Sequence, residues 1–139
     1  MPSIRYQRLA SELLPLANKF YKSQRSPMRV GRSEQVWVAQ QAEIIAACCL
    51  KPVADGHWLT ALLVAREQRQ QGIASQLLNE LRAHSQGPIW LFCAPELLSF
   101  YQRLGFAPCP ALPAELTERL LRYQRKQPLL ALASPPQCG

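Results

Sequence analysis

The residues best suited to chemistry lie where a run of apolar residues gives way to an amphipathic helix. After Leu62-Leu63-Val64 the chain continues to Arg69-Gln70-Gln71-Gly72-Ile73-Ala74. A helix N-terminus presents unpaired N–H groups and about half a positive charge, and a glycine allows close approach to the backbone. Together with the guanidinium group of Arg69, these groups suit a phosphate or a pyrophosphate ligand.

Two common phosphate-binding patterns do not fit this stretch. The Walker pattern requires Gly-Lys followed by Ser or Thr, and the dinucleotide fingerprint requires three spaced glycines. Here only Gly72 is present, and no lysine follows it. What remains is the pattern R-x-x-G-x-A, which on its own is also compatible with an ordinary strand–loop–helix connection.

A second motif narrows the interpretation. The segment Phe100-Tyr101-Gln102-Arg103-Leu104-Gly105-Phe106 follows the apolar run Ile89–Cys93. The order is strand, R-x-x-G-x-A helix, strand, F-Y-x-x-x-G-F helix. Over roughly residues 57–109 this order resembles the core of the GCN5-related N-acetyltransferase (GNAT) family, whereas the flanks resemble it only in their pattern of elements.

Hydrophobic periodicity predicts the elements that position these motifs. Strands are predicted at residues 3–9, 36–40, 44–50, 57–64, 89–93, 106–109 and 129–133. Helices are predicted from Ser11 to about Ser23, from Gly72 to near Ser85, from Pro95 to Gly105 and from Glu115 to Arg125. Because the strand at 57–64 is apolar on both faces, we expect it to lie in the centre of the sheet.

The interleaved strands and helices predict an α/β or α+β class. The resemblance implies more: a mixed, mostly antiparallel, twisted sheet of six to seven strands, with splayed central parallel strands and three to four flanking helices. Residues 1–139 are predicted to form a single GNAT-like acetyltransferase domain, because their number suits one domain with a real core. Residues 134–139 are predicted to be a flexible tail.

The resemblance also assigns roles to individual residues. It implies that acetyl-CoA is the cosubstrate and that the loop from Arg69 to Ala74 binds its pyrophosphate. The backbone of Leu62, Leu63 and Val64 would pair with the pantetheine arm, and an N–H near Leu63 would polarise the thioester carbonyl. Tyr101 would be the general acid for the departing thiolate, although a tyrosine beside Phe100 could also be a packing residue.

No general base is evident from the sequence. The strand positions of suitable parity hold Trp58, Thr60 and Leu62, none of which is a base, and His57 has the wrong parity unless a bulge redirects it. More remote candidates are Glu34, Glu43 and Asp55. An ordered water could serve instead. Ala94 stands where the family often has an asparagine, which puts one cofactor contact in doubt.

Composition limits the other classes of function. The formal charge is +7, but the sixteen basic residues are spread along the chain, which favours a polyanionic cofactor over nucleic acid. No apolar run reaches the length of a membrane span, and no secretory signal is present. Five cysteines form no C-x-x-C pair, and two histidines have no ligand-spaced partner. We therefore expect reduced thiols, no metal and a cytoplasmic protein.

These observations predict an N-acetyltransferase that transfers an acetyl group from acetyl-CoA to a primary amine by direct attack. The acceptor is an unidentified small molecule or peptide. The alternative is a non-catalytic acyl-CoA-binding regulatory module, which the missing base and Ala94 keep open. The predicted partners are acetyl-CoA and the amine-bearing acceptor, with no nucleic acid and no membrane, and an exposed strand edge would permit a homodimer.

Overall fold

A computed structural model describes residues 3–31 and 34–134. Most of the predicted tail, residues 135–139, lies outside the described residues. The first residue of that segment, Ser134, is described, and it is a buried residue of the last strand.

Seven strands and four helices make up the described chain. The strands are β1 (Arg5–Arg8), β2 (Gln35–Gln40), β3 (Ile44–Val53), β4 (Gly56–Val64), β5 (Ile89–Cys93), β6 (Ala107–Pro108) and β7 (Leu130–Ser134). The helices are α1 (Leu14–Ser23), α2 (Ile73–His84), α3 (Leu98–Arg103) and α4 (Ala114–Gln124). Nearly every predicted element is present within a few residues of its expected bounds.

The strands form one mixed sheet in the order β1-β2-β3-β4-β5-β7-β6. Antiparallel pairs join β1 to β2, β2 to β3, β5 to β7 and β6 to β7. The strands β4 and β5 are parallel, with His57 opposite Ile89 and Trp58 opposite Trp90. The predicted mixed, mostly antiparallel sheet with a central parallel pair is therefore confirmed, and β4 is its middle strand.

The chain divides into two compact units. Unit 1 comprises residues 1–51 and 59–85, and unit 2 comprises residues 52–58 and 86–139. In unit 1, α2 packs on β1 and β2, and α1 also packs on β2. The apolar stripe of α2 is buried, as its spacing predicts: Ile73, Leu77, Leu78 and Leu81.

Unit 2 has its own apolar core. Its buried members come from β3, β4, β5, β7, α4 and the segment after β6: Val53, Trp58, Trp90, Cys109, Leu116 and Ala133. The guanidinium carbon of Arg119 lies 4.8 Å from the centre of the Trp58 ring, within cation–π range. A Cβ at Gly56 would overlap the backbone carbonyl of Pro88. Glycine at the start of β4 therefore allows two backbones of this unit to approach closely.

Two local expectations are wrong. The helix predicted from Ser11 begins later, because residues 11–13 form a single 3-10 turn whose Leu13 N–H donates to the Ala10 carbonyl at 2.9 Å. The helix α1 begins only at Leu14, with Pro15 in its first turn, where a missing N–H costs little. The strand β3 also continues through Val53, beyond its predicted end at residue 50. In the described ranges, no helix has both the length and the apolar character needed to cross a bilayer.

Candidate functional site

The connection between β4 and α2, in unit 1, is held by hydrogen bonds to neighbouring backbone and side chains. The Ala65 N–H donates to the Ile45 carbonyl at 2.7 Å, and the Arg66 N–H donates to Gln24 Oε1 at 3.0 Å. Arg69 turns back, and its Nε–H donates to the Val64 carbonyl at 3.1 Å. The loop is therefore fixed to the end of β4 before it reaches the helix.

Left-handed backbone at two positions shapes the turn into α2. Gln70 has a φ of 66° and Gly72 a φ of 76°. Gly72 is the N-cap residue of α2, and it supplies no side-chain cap for the first N–H groups of the helix. Successive N–H groups in alternating right- and left-handed backbone form an anion-binding concavity. Because Gln70 is not a glycine, its conformation also stores strain, of the kind found at binding sites.

The space in front of Gly72 is open. An added Cβ would meet no atom within 4 Å, so packing does not explain the glycine. The positive φ does explain it, because a side chain in this conformation costs about 1–2 kcal/mol. The surface before the first turn of α2 therefore has room for a ligand.

The predicted donor-site residues of unit 1 are brought together, but they contribute differently. The side chains of Leu62, Leu63 and Val64 are half-buried, whereas Leu59 earlier in β4 is buried. Arg69, Gln70, Gln71 and Gly72 are exposed. Ile73 is only 2% exposed, so it can offer a ligand its backbone N–H but not its side chain. Ala74 follows it in the first turn of α2.

A distortion in β4 was not predicted at its true position. Ala61, in the middle of the strand, has a φ of 57°, the left-handed conformation associated with a β-bulge. The hydroxyl of Tyr21 on α1 donates to the Ala61 carbonyl at 2.7 Å, which fixes the distorted residue. Bulges interrupt the alternation of side chains along a strand, so parity counted from His57 does not carry through to Leu62.

Tyr21 is itself held in a dry environment. The Cys49 Sγ lies 3.8 Å from the Tyr21 hydroxyl oxygen. Burial is the main cause that raises the pKa of Tyr21 above its ordinary value, and neighbouring Cys49 and Cys48 raise the pKa further. Burial likewise raises the pKa of Cys49 to about 12. These groups therefore stay protonated at neutral pH and support the strand rather than react.

Tyr101 lies in unit 2, on the short helix α3. Its ring is edge-on to Phe100 with centroids 5.0 Å apart and edge-on to Phe106 with centroids 6.0 Å apart. Its carbonyl accepts the N–H groups of Leu104 and Phe106, at 3.0 Å each. Gly105, at a φ of 95°, provides the turn between them. The Gly-Phe exit predicted from sequence therefore fixes the orientation of the tyrosine ring.

The candidates for a general base include residues of both units. Thr60 is not a base, but its hydroxyl lies 3.4 Å from Glu34 Oε2, within unit 1. Glu34 was only a remote candidate, because no sequence pattern signals a contact across 26 residues. His57 belongs to unit 2, where burial lowers the pKa of its imidazole. Among the described residues, no group of His, Cys, Asp or Glu could hold a metal ion.

The sequence offers five large apolar side chains that could line an acceptor pocket, and most of them belong to the core. Four are buried: Phe20, Tyr21, Trp37 and Trp58. The fifth, Met28, is 38% exposed.

A comparison with family models assigns the chain to a family. Residues 32–108 match the model described as the acetyltransferase (GNAT) domain, which is 77 of the 139 residues. The chain therefore belongs to the GCN5-related N-acetyltransferase family, and the predicted resemblance is confirmed. No curated protein sequence matches the chain.

Solved structures share the fold at low sequence identity. Tetrahymena GCN5 is similar with a TM-score of 0.71 and 13% identity, over 96% of this chain and 98% of that chain. Arabidopsis thaliana Naa50, in complex with the bisubstrate analogue CoA-Ac-MVNAL, has a TM-score of 0.65 and 16% identity, over 95% and 98%. The N-acetylglutamate synthase from Neisseria gonorrhoeae, complexed with coenzyme A and N-acetyl-glutamate, has a TM-score of 0.68 and 14% identity. That match covers 96% of this chain and 35% of the synthase.

Proposed function

We propose that this protein is an N-acetyltransferase that moves an acetyl group from acetyl-CoA to a primary amine of a small-molecule or peptide acceptor. The observation that carries the proposal is the loop before α2. It combines left-handed backbone at Gln70 and Gly72, uncapped helix N–H groups and open space before Gly72. Family membership supports acyl-CoA as the donor.

The donor loop can hold a diphosphate through several groups at once. The N–H groups from Gln71 to Ala74 would donate to the phosphate oxygens, and the Nη groups of Arg69 would supply positive charge. The Nε–H of Arg69 is already committed to the Val64 carbonyl, which pre-positions that charge. The backbone of Leu62–Val64 would pair with the amides of the pantetheine arm, as an added strand would.

The acceptor must lose a proton before it can react. An alkylammonium has a pKa of about 10.4, so at pH 7 only about one molecule in 2,500 is neutral, a cost of about 4.6 kcal/mol. The neutral nitrogen then attacks the thioester carbon directly, a C–N bond forms and the C–S bond breaks. The N–H near Leu63 would stabilise the negative charge that develops on the carbonyl oxygen.

The leaving group needs a proton as well. Coenzyme A departs as a thiolate, whose pKa resembles the value of about 8.5 for a cysteine. Tyr101 is our proposed donor of that proton, supported by its place in the F-Y-x-x-x-G-F motif and by the ring contacts that orient it. Proton transfer from an unperturbed phenol, pKa about 10, to such a thiolate costs about 2 kcal/mol, which is small beside a catalysed barrier. The second proton of the attacking nitrogen returns through solvent to the tyrosinate.

We further propose that residues 1–139 act as a single acetyltransferase domain in the cytoplasm and that the protein could form a homodimer. Cys48, Cys49 and Cys93 are buried thiols in the described chain, and thiols are typical of proteins in a reducing compartment. The proposal includes no nucleic-acid partner, no membrane and no metal.

A screen of thiol release from acetyl-CoA tests the function. The panel should contain alkylamines, amino acids, peptides and aminoglycosides, and acetyl-CoA binding should be measured separately by calorimetry. Turnover with any amine supports the enzyme. Tight binding of acetyl-CoA without turnover across the panel would favour the regulatory module, and no binding at all would contradict both.

A further inference from the structure

A half-buried carboxylate lies beside the strand that leads to the donor loop. Glu34 immediately precedes β2, and its Oε2 accepts a hydrogen bond from the Thr60 hydroxyl at 3.4 Å. Its Oε1 accepts a hydrogen bond from the Gly31 N–H. Thr60 is a residue of β4, two positions before Leu62. All of these residues belong to unit 1.

The charge of Glu34 acts on the residues around the distorted part of β4. After burial, the negative charge of Glu34 is the next cause that raises the pKa of Cys49. Glu34 also contributes to the raised pKa of Tyr21, whose hydroxyl donates to the Ala61 carbonyl. The carboxylate is therefore close to the same short stretch of β4 that precedes the donor-binding backbone.

The hydrogen-bond donors to Glu34 are neutral. In the described ranges no cation is seen within ion-pair distance of Glu34, although Arg8 lines the same cavity. Neutral donors leave the negative charge of a carboxylate uncompensated, and a half-buried site screens it less than bulk water does. Such a carboxylate attracts a cation, and an acceptor amine arrives at neutral pH as an alkylammonium.

We propose that Glu34 is the carboxylate that receives the acceptor's ammonium group and removes its proton. The proposal rests on the proposed acetyltransferase function. The first proton passes from the ammonium nitrogen to a Glu34 oxygen, and the freed electron pair forms the new C–N bond while the C–S bond breaks. The second proton leaves the nitrogen as the amide forms and passes through solvent to the tyrosinate that results from protonation of the thiolate. Thr60, whose hydroxyl holds the carboxylate, is a positioning residue.

The position of Glu34 along the sheet suits this role. Thr60 and Leu62 lie two positions apart on β4, on either side of the left-handed residue Ala61. The proposal places the acceptor nitrogen between Glu34 and the thioester whose carbonyl is polarised near Leu63. A carboxylate that precedes β2 would then act as the general base, because Thr60, the residue of suitable parity on β4, has no basic side chain.

Two isosteric probes separate proton removal from other effects of a mutation. The first is the alkylamine with the highest turnover in the screen. The second is the aminooxy analogue of that amine, in which oxygen replaces the methylene group next to the nitrogen. Phenethylamine and O-benzylhydroxylamine are such a pair. The aminooxy nitrogen is neutral at pH 7, so it does not have to lose a proton before it attacks. Glu34→Gln keeps one acceptor oxygen for the Gly31 N–H and places an amide N–H group that can donate to the Thr60 hydroxyl oxygen. Glu12→Gln removes an exposed carboxylate of the same unit and is the matched control.

We expect Glu34→Gln to lower kcat/KM for the alkylamine by about 100-fold or more, the usual range for loss of a general base. The aminooxy analogue should lose less than about fivefold, and the affinity for acetyl-CoA should not change. Thr60→Val should show a smaller fall confined to the alkylamine. Glu12→Gln should behave as the wild type with both probes.

The outcomes distinguish this inference from the proposed function. If the wild type acetylates an amine and Glu34→Gln keeps that rate, the role of Glu34 is wrong and the transferase remains. An equal loss with both probes would show that Glu34 only maintains the fold or binds the acceptor. If the wild type turns over no amine, both the transferase and the base are contradicted.

Discussion

At Gly72, backbone conformation and local space point to different reasons for a glycine. The positive φ of 76° disfavours a side chain, yet the surrounding protein would accommodate one without contact. A substitution there should therefore change ligand binding far more than it changes packing. This separation makes Gly72 the most informative residue of the donor loop to mutate.

Gly72→Glu should abolish acetyl-CoA binding while the domain remains folded. Two like unit charges 4 Å apart repel by about 4 kcal/mol at an effective dielectric constant of 20, and solvent screening leaves an expected loss of at least about 100-fold in affinity. Calorimetry with acetyl-CoA measures that loss. Gly72→Asn is the control, because asparagine tolerates left-handed backbone and is uncharged. Equal, undiminished affinity in both variants would refute the loop as the donor site.

Tyr101→Phe tests the general acid without disturbing the ring contacts. We expect kcat to fall about 100-fold, within the usual range for general acid catalysis, and acetyl-CoA affinity to stay within about twofold. Steady-state kinetics and calorimetry give the two values. Tyr123→Phe, on α4 of the same unit, removes an exposed hydroxyl and should leave kcat unchanged. A Tyr101→Phe enzyme with full kcat would leave Tyr101 a packing residue.

At the scale of elements, β4 depends on α1 for its distorted conformation. Tyr21 is fully buried, and its hydroxyl is the described partner of the Ala61 carbonyl. Helix and strand are thus linked at one residue, 40 positions apart in the chain. The same strand continues directly into Leu62–Val64, so the conformation of the proposed donor-binding backbone follows from this contact.

Tyr21→Phe should destabilise the protein and weaken donor binding together. Removing the hydroxyl leaves a carbonyl without its partner, a loss of about 1–3 kcal/mol in the free energy of unfolding. Urea denaturation measures the stability, and calorimetry measures the affinity for acetyl-CoA, which should also fall. Tyr6→Phe on β1 is the control, because the described hydrogen bonds do not include its hydroxyl. Similar effects of the two variants would argue against a specific role for Tyr21.

Sequence periodicity was sufficient to predict most elements and their order. The apolar stripe of α2 and the apolar β4 and β5 are local patterns, and local patterns can be read from neighbouring residues. The connection from β4 to α2 could be predicted for the same reason, whereas the donor-binding role of Arg69 to Gly72 stays a prediction.

The features that the sequence did not reveal depend on long-range contacts or on backbone strain. Alanine at position 61 gives no signal of a left-handed residue, and the Tyr21 hydroxyl that donates to its carbonyl lies 40 residues away. The contact of Glu34 with Thr60 spans 26 residues and has no spacing rule. The helix predicted from Ser11 begins at Leu14, because residues 11–13 form a 3-10 turn in which the Leu14 N–H donates to the Ser11 carbonyl.

At the scale of the whole molecule, buried thiols make the free energy of unfolding depend on pH in the alkaline range. Burial raises the pKa of Cys48 above its ordinary value, and it raises the pKa of Cys49 to about 12. In the unfolded chain both thiols ionise near about 8.5. Above that pH the folded state binds more protons than the unfolded state, so the free energy of unfolding decreases as pH rises.

We expect these thiols to contribute fully to the free energy of unfolding below about pH 8.5, and we expect that contribution to fall progressively up to about pH 12. The slope should approach about 1.36 kcal/mol per pH unit for each thiol. Urea denaturation at about pH 8 and about pH 9.5 measures the change. Cys49→Ala should show a shallower slope than the wild type. A stability that does not change over this range would mean that the thiols are not protected in the folded protein.

The left-handed residue Ala61 limits which changes of length the gene can tolerate within β4. A single-codon deletion or insertion in an exposed loop is usually harmless, since loops absorb changes of length. On β4, losing the codon for Ala61 would remove the left-handed residue and the carbonyl to which Tyr21 donates, so the strand would reach Leu62–Val64 along a different path. The number of residues in β4 therefore matters to the proposed donor-binding backbone as much as the identity of its side chains.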